Sequence, residues 1–348
     1  MAITYPTCNT STLAVVHSDA YAGWVFSDTH PTQGRRFLNA RDRLMELAPA
    51  AGVAAVEVES DLLPDFSVLE KVHDRDYIEQ VVLSGESGEW AGARPDLGQL
   101  ALRMAGGTLL AAQLLLDGRA HTAVHFAGAK HHAKRDRSSG FCVFNDLAVT
   151  AKHLLDMGAT YNSPYTGRRT RIDRIAILDI DAHHGDGTEE LLQADMRVQT
   201  FSVHDRTIFP GTGHDDDWDS HVFNVPLAAG SGDEELMDAV GFFTAVADAF
   251  RPDLIFIAMG ADGHDDDPLS SLCYSIEGME RAVRYVRRAF RTTPILLGGA
   301  GGYLPDTVTP EAWARMALAA AQPVEDHDQA CAFLVDSSYE PHPREDAC

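Results

Sequence analysis

Cysteine is scarce and poorly placed for bridging. The 348 residues contain five, Cys8, Cys142, Cys273, Cys331 and Cys348, an odd number with no Cys-x-x-Cys pair. That argues against a disulfide framework and a thiolate zinc site, and it fits a reducing cytoplasm. Positive charge is also in short supply. With 28 Lys+Arg against 52 Asp+Glu the formal net charge is -24, which repels nucleic acid and attracts cationic partners, although solubility alone accounts for much of it. There is no uninterrupted run of about 18 apolar residues, and the opening "MAITYPTCNTSTLAVVH" lacks the basic start and apolar block of a secretory signal. The expectation is a soluble cytoplasmic chain with no nucleic-acid and no membrane partner; nothing in the sequence argues against a homo-oligomer. No repeat or low-complexity linker divides it.

What is present is globular: 45% of residues are hydrophobic, with 28 Gly and 16 Pro, and the length can bury a large core. Seven apolar runs have strand length: 13 to 17, 53 to 58, 121 to 126, 174 to 181, 198 to 204, 253 to 260 and 294 to 299. Between them, residues 34 to 48, 97 to 118, 233 to 250 and 275 to 290 repeat apolar positions at helical spacing. Strands apolar on both faces and separated by helices predict an α/β fold with a parallel sheet covered on both sides. We read one domain over 1-348, with a core of about 13-320. The stretch 161 to 170 reads as a surface loop and the tail from about 323 to 348 as peripheral.

In such sheets function collects at the carboxyl ends of the strands. There "RIAILDIDAHHGDG" (174 to 187) places Asp179, Asp181, His183, His184 and Asp186 within eight residues. In extended chain Asp179, Asp181 and His183 share one face. Carboxylates gathered at a buried strand end need a cation, a partner or protons. The reading is a divalent metal on Asp181 and His183, with a third ligand from "GADGHDDDP": Asp262, Asp265, Asp266 or Asp267, with His264 competing on spacing. Asp262 is nearest the apolar run. Three protein ligands leave a position for water, the catalytic arrangement, and the oxygen-rich set suits zinc but also iron(II) or cobalt(II). Upstream, the tandem His131-His132 offers a base for that water and a second group for electrostatics or leaving-group protonation. Asp179 and Asp186 remain to orient the imidazoles. The glycines of "LLGGAGGYLPD" let the backbone carry Tyr303 to the site, where its hydroxyl donates to a developing oxyanion.

With "KHHAKRDRSSGFCVFND", "LDIDAHHGDG", "FSVHDRTIFPGTG", "GADGHDDDPL" and "GGAGGY" in this order, the sequence resembles the zinc-dependent histone deacetylases and their bacterial acetoin-utilisation-type and acetylpolyamine deacetylase relatives. The resemblance implies a three-layer α/β/α arginase-deacetylase fold with a central, mostly parallel sheet of about eight strands. It implies Asp181, His183 and Asp262 as zinc ligands, and His131 and His132 as the tandem pair with His132 as base. Asp179 and Asp186 then orient the two imidazoles, and Tyr303 polarises the scissile carbonyl. It further implies Phe141 and Phe209 as walls of an acyl-lysine tunnel, with the Gly140 carbonyl accepting the substrate amide. A structural potassium ion is implied at Asp179, Asp181, His183, Ser202 and Val203, and a second near Leu192, Asp195 and Val198. The implied activity is removal of an acetyl group from an acetylated lysine or a small acetylated amine.

The chain departs from the family's pattern in places. Ala129-Lys130 stand where relatives more often carry Gly-Gly, Pro-Gly or a bulky aromatic, so Lys130 either reshapes the tunnel mouth or faces solvent. In the 85-96 loop, Glu89 or Asp96 is the candidate to grip a substrate backbone. Leu269 occupies a tunnel-rim position where polyamine-specific relatives carry glutamate, which favours acyl-lysine-type substrates over acetylpolyamines while the net charge pulls the other way. Rival readings are a biosynthetic deacetylase of a specialised N-acyl metabolite, a binuclear manganese ureohydrolase and an inactive metal-holding binding module. His184 points away from the ligand face and reads as structural.

Overall fold

The computed structural model describes residues 12–163 and 168–323; the expected peripheral tail, from residue 324 onward, lies outside the described residues. Eight strands form one sheet in the order β2-β1-β3-β10-β9-β6-β7-β8, and every neighbouring pair is parallel. They are β1 (Thr12–His17), β2 (Ala54–Glu59), β3 (Thr122–His125), β6 (Ile175–Asp179), β7 (Val198–Asp205), β8 (Val222–Leu227), β9 (Leu254–Ala258) and β10 (Ile295–Gly298). The central strands β3, β6, β9 and β10 are buried at every position, as continuous aliphatic runs dictate when helices cover both faces.

Two edges depart from the sequence expectation. The run at 53 to 58 becomes β2, but it is an edge strand with half-exposed residues, and Glu57 and Glu59 guard it. The eighth strand, "VFNVPL", was not foreseen; it lies on the opposite edge, where Pro226 removes no essential ladder bond. The stretch around 161 to 170 is less loop than expected: β4 (Thr160–Asn162) and β5 (Arg169–Arg171) pair antiparallel as a separate two-stranded sheet.

On one face pack α1 (Arg35–Leu47), α7 (Asp233–Phe250), α8 (Ile276–Ala289) and α9 (Val308–Ala321), which contact one another in series. The other face carries α4 (Pro95–Leu116), α5 (Asp146–Asp156) and α6 (Asp186–Leu192), with the short α2 (Phe66–Leu69) and α3 (Arg75–Glu79) beyond them. Local chemistry starts these helices where they start. The Asn145 side chain accepts the Ala148 amide at 3.0 Å to cap α5, and Ser275 accepts the Gly278 amide at 3.0 Å to cap α8. By length and composition α4 is apolar enough to cross a membrane, yet 67% of that stretch is buried inside the fold, so here it is a core helix.

The register fixes where the loops leave. Val16, His125, Gly298, Ala258, Asp179, Ser202 and Asn224 lie in one row across the sheet. The segments after that row, at the carboxyl ends of β3, β6, β9 and β10, converge on one rim.

Candidate active site

The rim gathers the residues the sequence singled out. Asp181 and His183 follow β6, Asp262 follows β9, and their ligand atoms lie within 4.8 Å of one another, all buried. His183 Nδ1 is 3.1 Å from Asp181 Oδ1 and 3.0 Å from Asp262 Oδ2. The other oxygen of each carboxylate is held by backbone: Gly301 N–H donates to Asp181 Oδ2 at 2.6 Å and Ala182 N–H to Asp262 Oδ1 at 3.0 Å. A Cβ at residue 301 would strike both carboxylates, so only glycine brings the β10 loop this close.

The donor set fits a divalent cation. Burial works against a charged His183, but the two carboxylates outweigh it and push the imidazole up to about 11. A proton thus sits where two anions and one nitrogen lone pair converge, the place a metal ion takes with the same three atoms. Of the other candidate ligands, His264, Asp265 and Asp266 cluster separately and largely exposed. Asp267 turns instead to the backbone amides of Tyr303 and Leu269, at 2.8 and 3.1 Å.

The tandem histidines lie beside this cluster with ring centroids 3.9 Å apart and planes tilted by 47°. His131 Nδ1 lies 2.6 Å from Asp179 Oδ2, and His132 Nδ1 lies 2.7 Å from Asp186 Oδ1. Lys134, not foreseen from the sequence, places Nζ 2.7 Å from the second oxygen of Asp186. Their environments drive the two rings apart. Burial disfavours charge on His131, but Asp179 and Asp181 overcome it and lift it to about 9. Burial and the neighbouring His131 charge lower His132 to about 3 against the pull of Asp186. One imidazole is therefore a cation and the other a neutral acceptor, the division that acid–base work requires.

Phe141 and Phe209, the first half-buried and the second exposed, lie beside the histidines and Tyr303. Ser139 and Cys142 exchange backbone hydrogen bonds of 3.0 and 2.8 Å around Gly140 and Phe141, both at positive φ (53° and 66°). This two-residue turn is strained for a bulky Phe, and Glu89 holds it by accepting the Phe141 amide at 2.9 Å. Glu89 is thus tied to the turn that carries Phe141. Asp96 is elsewhere, paired with Arg94 at 2.6 Å on the exposed start of α4. The Phe209 ring lies edge-on to His132 at 5.0 Å, and Phe141 edge-on to Tyr303 at 6.0 Å. Burial and the nearby Asp262 and Asp181 carboxylates keep the Tyr303 phenol protonated well above its usual range. Half-buried Leu269 follows two residues after Asp267.

Asp179 ends β6 directly opposite Ser202 on β7, and Val203 follows. Ser202 Oγ lies 3.0 Å from His204 Nδ1. At the far end of β7 the Asp195 carboxylate is engaged by Lys152 and Arg197 at 2.6 and 2.7 Å. The Leu192 and Asp195 carbonyls accept the Asp195 and Val198 amides, each at 2.8 Å. His184 faces away from the ligand cluster, bonded to Thr212 and Glu189 at 2.8 and 3.0 Å.

Lys130 corrects the sequence reading. It neither shapes the mouth nor meets solvent: it is buried, and its ammonium sits over the Phe37 ring at 5.1 Å. Beside it lies a second buried cation absent from the expected site, Arg36, whose guanidinium covers the Tyr303 ring at 5.5 Å.

Residues 30–320 match the family described as "Histone deacetylase domain". The chain is 30% identical over 340 residues to the acetoin utilization protein AcuC of Staphylococcus aureus, spanning 90% of this chain and 83% of that protein. It is 31% identical over 327 residues to AcuC of Bacillus subtilis, spanning 87% and 80% of the two chains. To a probable deacetylase of Archaeoglobus fulgidus it is 32% identical over 316 residues, spanning 84% and 83%.

Proposed function

The chain belongs to the histone deacetylase family, and from that premise we propose that it hydrolyses an acetamide of the N-acetyl-lysine type, on a side chain or a small amine, with zinc held by Asp181, His183 and Asp262. A metal held by these three residues would supply Lewis acidity to a water and to the amide carbonyl. The rest is done by side chains. His132, neutral and oriented by Asp186, takes the water proton on Nε2 and returns one to the departing amine. His131, held cationic by Asp179, supplies positive charge beside it. Tyr303 donates from its hydroxyl to the oxygen that gains charge. Phe141 and Phe209 flank the extended arm, and the Gly140 carbonyl accepts its amide.

One observation carries this reading: three buried residues able to hold a metal adjoin two carboxylate-held histidines whose proton affinities are driven apart, to about 9 and about 3. Leu269 at the rim supports acyl-lysine-type substrates over acetylpolyamines. The proposal includes a potassium ion at Asp179, Asp181, His183, Ser202 and Val203, supported by the pairing of Asp179 with Ser202. A second potassium near Leu192, Asp195 and Val198 has to rely on carbonyls, because cations already hold the Asp195 carboxylate.

The test is acetate release from acetyl-lysine peptides, free acetyl-lysine, acetylspermidine and acetylputrescine in parallel, with a hydroxamate as inhibitor control. Turnover of the lysine substrates, blocked by the hydroxamate, is expected. Preference for the acetylpolyamines would reverse the substrate ranking, and silence on all four with zinc bound would point to a specialised amide.

A further inference from the structure

Lys134 is 7% exposed, and lysine is almost never buried this deeply unless it is paired. Its Nζ lies 2.7 Å from Asp186 Oδ2 and 2.9 Å from Glu190 Oε2. Asp186 and Glu190 are four residues apart on α6, so one helix face presents both. Their settings differ. The Asp186 side chain is 12% exposed and that of Glu190 47%, which leaves the outer pair shared with water and the inner pair enclosed.

The backbone that carries the ammonium is fixed. Lys134 N–H donates to the Arg137 carbonyl at 2.9 Å. Its own carbonyl lies 2.8 Å from His73 Nδ1, and His73 Nε2 accepts the Asn145 amide at 3.0 Å, so His73 carries its proton on Nδ1 and donates it to Lys134. α6 is docked on the same segment: Thr188 N–H donates to the His131 carbonyl at 2.9 Å. Lys134 and Asp186 therefore meet between two supports that are themselves anchored.

Asp186 has one partner for each oxygen, His132 Nδ1 on Oδ1 at 2.7 Å and Lys134 on Oδ2. Burial works to raise this carboxyl, but the hydrogen bonds from His132 and Lys134 outweigh it and hold it well below the usual carboxylate range. A carboxylate gripped at one oxygen turns easily about its last torsion; gripped at both, it turns only by breaking a bond. We propose that Lys134 is a positioning residue for the base: by holding Oδ2 it fixes Oδ1 against His132 Nδ1, and with it the tautomer whose Nε2 accepts the water proton. The proposal rests on the deacetylase reading above. Lys134 touches no reacting atom and acts through Asp186.

The experiment compares the zinc-loaded wild type with Lys134→Met, Lys134→Arg and Glu190→Gln. Lys134→Gln takes the place of Lys134→Met should that variant not fold, since the ammonium is absent from both. On an acetyl-lysine peptide, kcat is expected to fall at least about tenfold in Lys134→Met with KM and zinc content unchanged, and to recover to within about threefold of wild type in Lys134→Arg. Glu190→Gln, which loosens the same tie to α6 from its exposed side, is expected to stay within about twofold of wild type. Proton NMR supplies a readout that needs no turnover: the downfield resonance of the His132 Nδ1–H, identified by its loss in His132→Gln, shifts in Lys134→Met and stays in place in Glu190→Gln. An unchanged kcat or an unmoved resonance in Lys134→Met overturns the proposal. So does an equal fall in Glu190→Gln, which makes Lys134 a tie for α6 and nothing more. A wild type that releases no acetate, with a resonance that still depends on Lys134, counts against the deacetylase reading and not against the positioning.

Discussion

Individual side chains divide the labour at this rim by environment more than by type. His131 and His132 are chemically identical neighbours, each buried and each paired with a carboxylate, yet Asp179 and Asp181 together lift one while burial and the charge of that neighbour lower the other. Tyr303 has a single task in this scheme, donation to developing charge. Tyr303→Phe is accordingly expected to hold metal normally while kcat falls by about 10²–10³-fold; metal content and single-turnover rates check the two halves separately. The cluster of Asp181, His183 and Asp262 was legible because aspartate and histidine at a strand end have few benign explanations. Arg36 and Lys130 were not, because a cation in sequence reads as surface by default, and only the fold reveals what covers it. The Glu89 contact with the Phe141 amide was not legible either, because 52 residues separate the two in the chain.

At the level of elements, parallel strands deliver their carboxyl ends to one row and let short loops do the rest. The β10 loop reaches the Asp181 and Asp262 carboxylates only because residue 301 lacks a side chain. Gly301→Ala should therefore depress zinc affinity sharply while the fold persists, read by metal content after dialysis beside circular dichroism; full zinc retention would contradict this account. Seven strands could be seen from aliphatic runs alone. The eighth could not, because Asn224 and Pro226 interrupt it and an edge position, invisible in sequence, excuses them. α9 was missed for the opposite reason. "VTPEAWARMALAAA" is buried along most of its length, so it shows no polar face and little periodicity.

The eight-stranded parallel sheet between two helical layers is the arginase-deacetylase architecture, and it carries several histidines that are neutral because they are interior. Burial lowers His73 to about 4 and His121 and His125 to about 3. Their unfolded value is about 6.5, so between these limits the unfolded chain binds more protons than the folded one. The stability these groups contribute is complete above about pH 6.5 and is lost as pH falls toward 3 to 4. Denaturant midpoints measured at pH 7.5 and pH 5 should show the lower value at pH 5; equal midpoints would contradict the buried, neutral state. The proposed chemistry stands or falls with the metal. Its most direct test is acetate release from an acetyl-lysine peptide by the purified protein before chelation, after chelation, and after titration with zinc. The account predicts that activity vanishes with the chelator and returns as one zinc per chain is restored. Acetate release that survives metal removal, or activity that returns only with two manganese ions per chain, would contradict it.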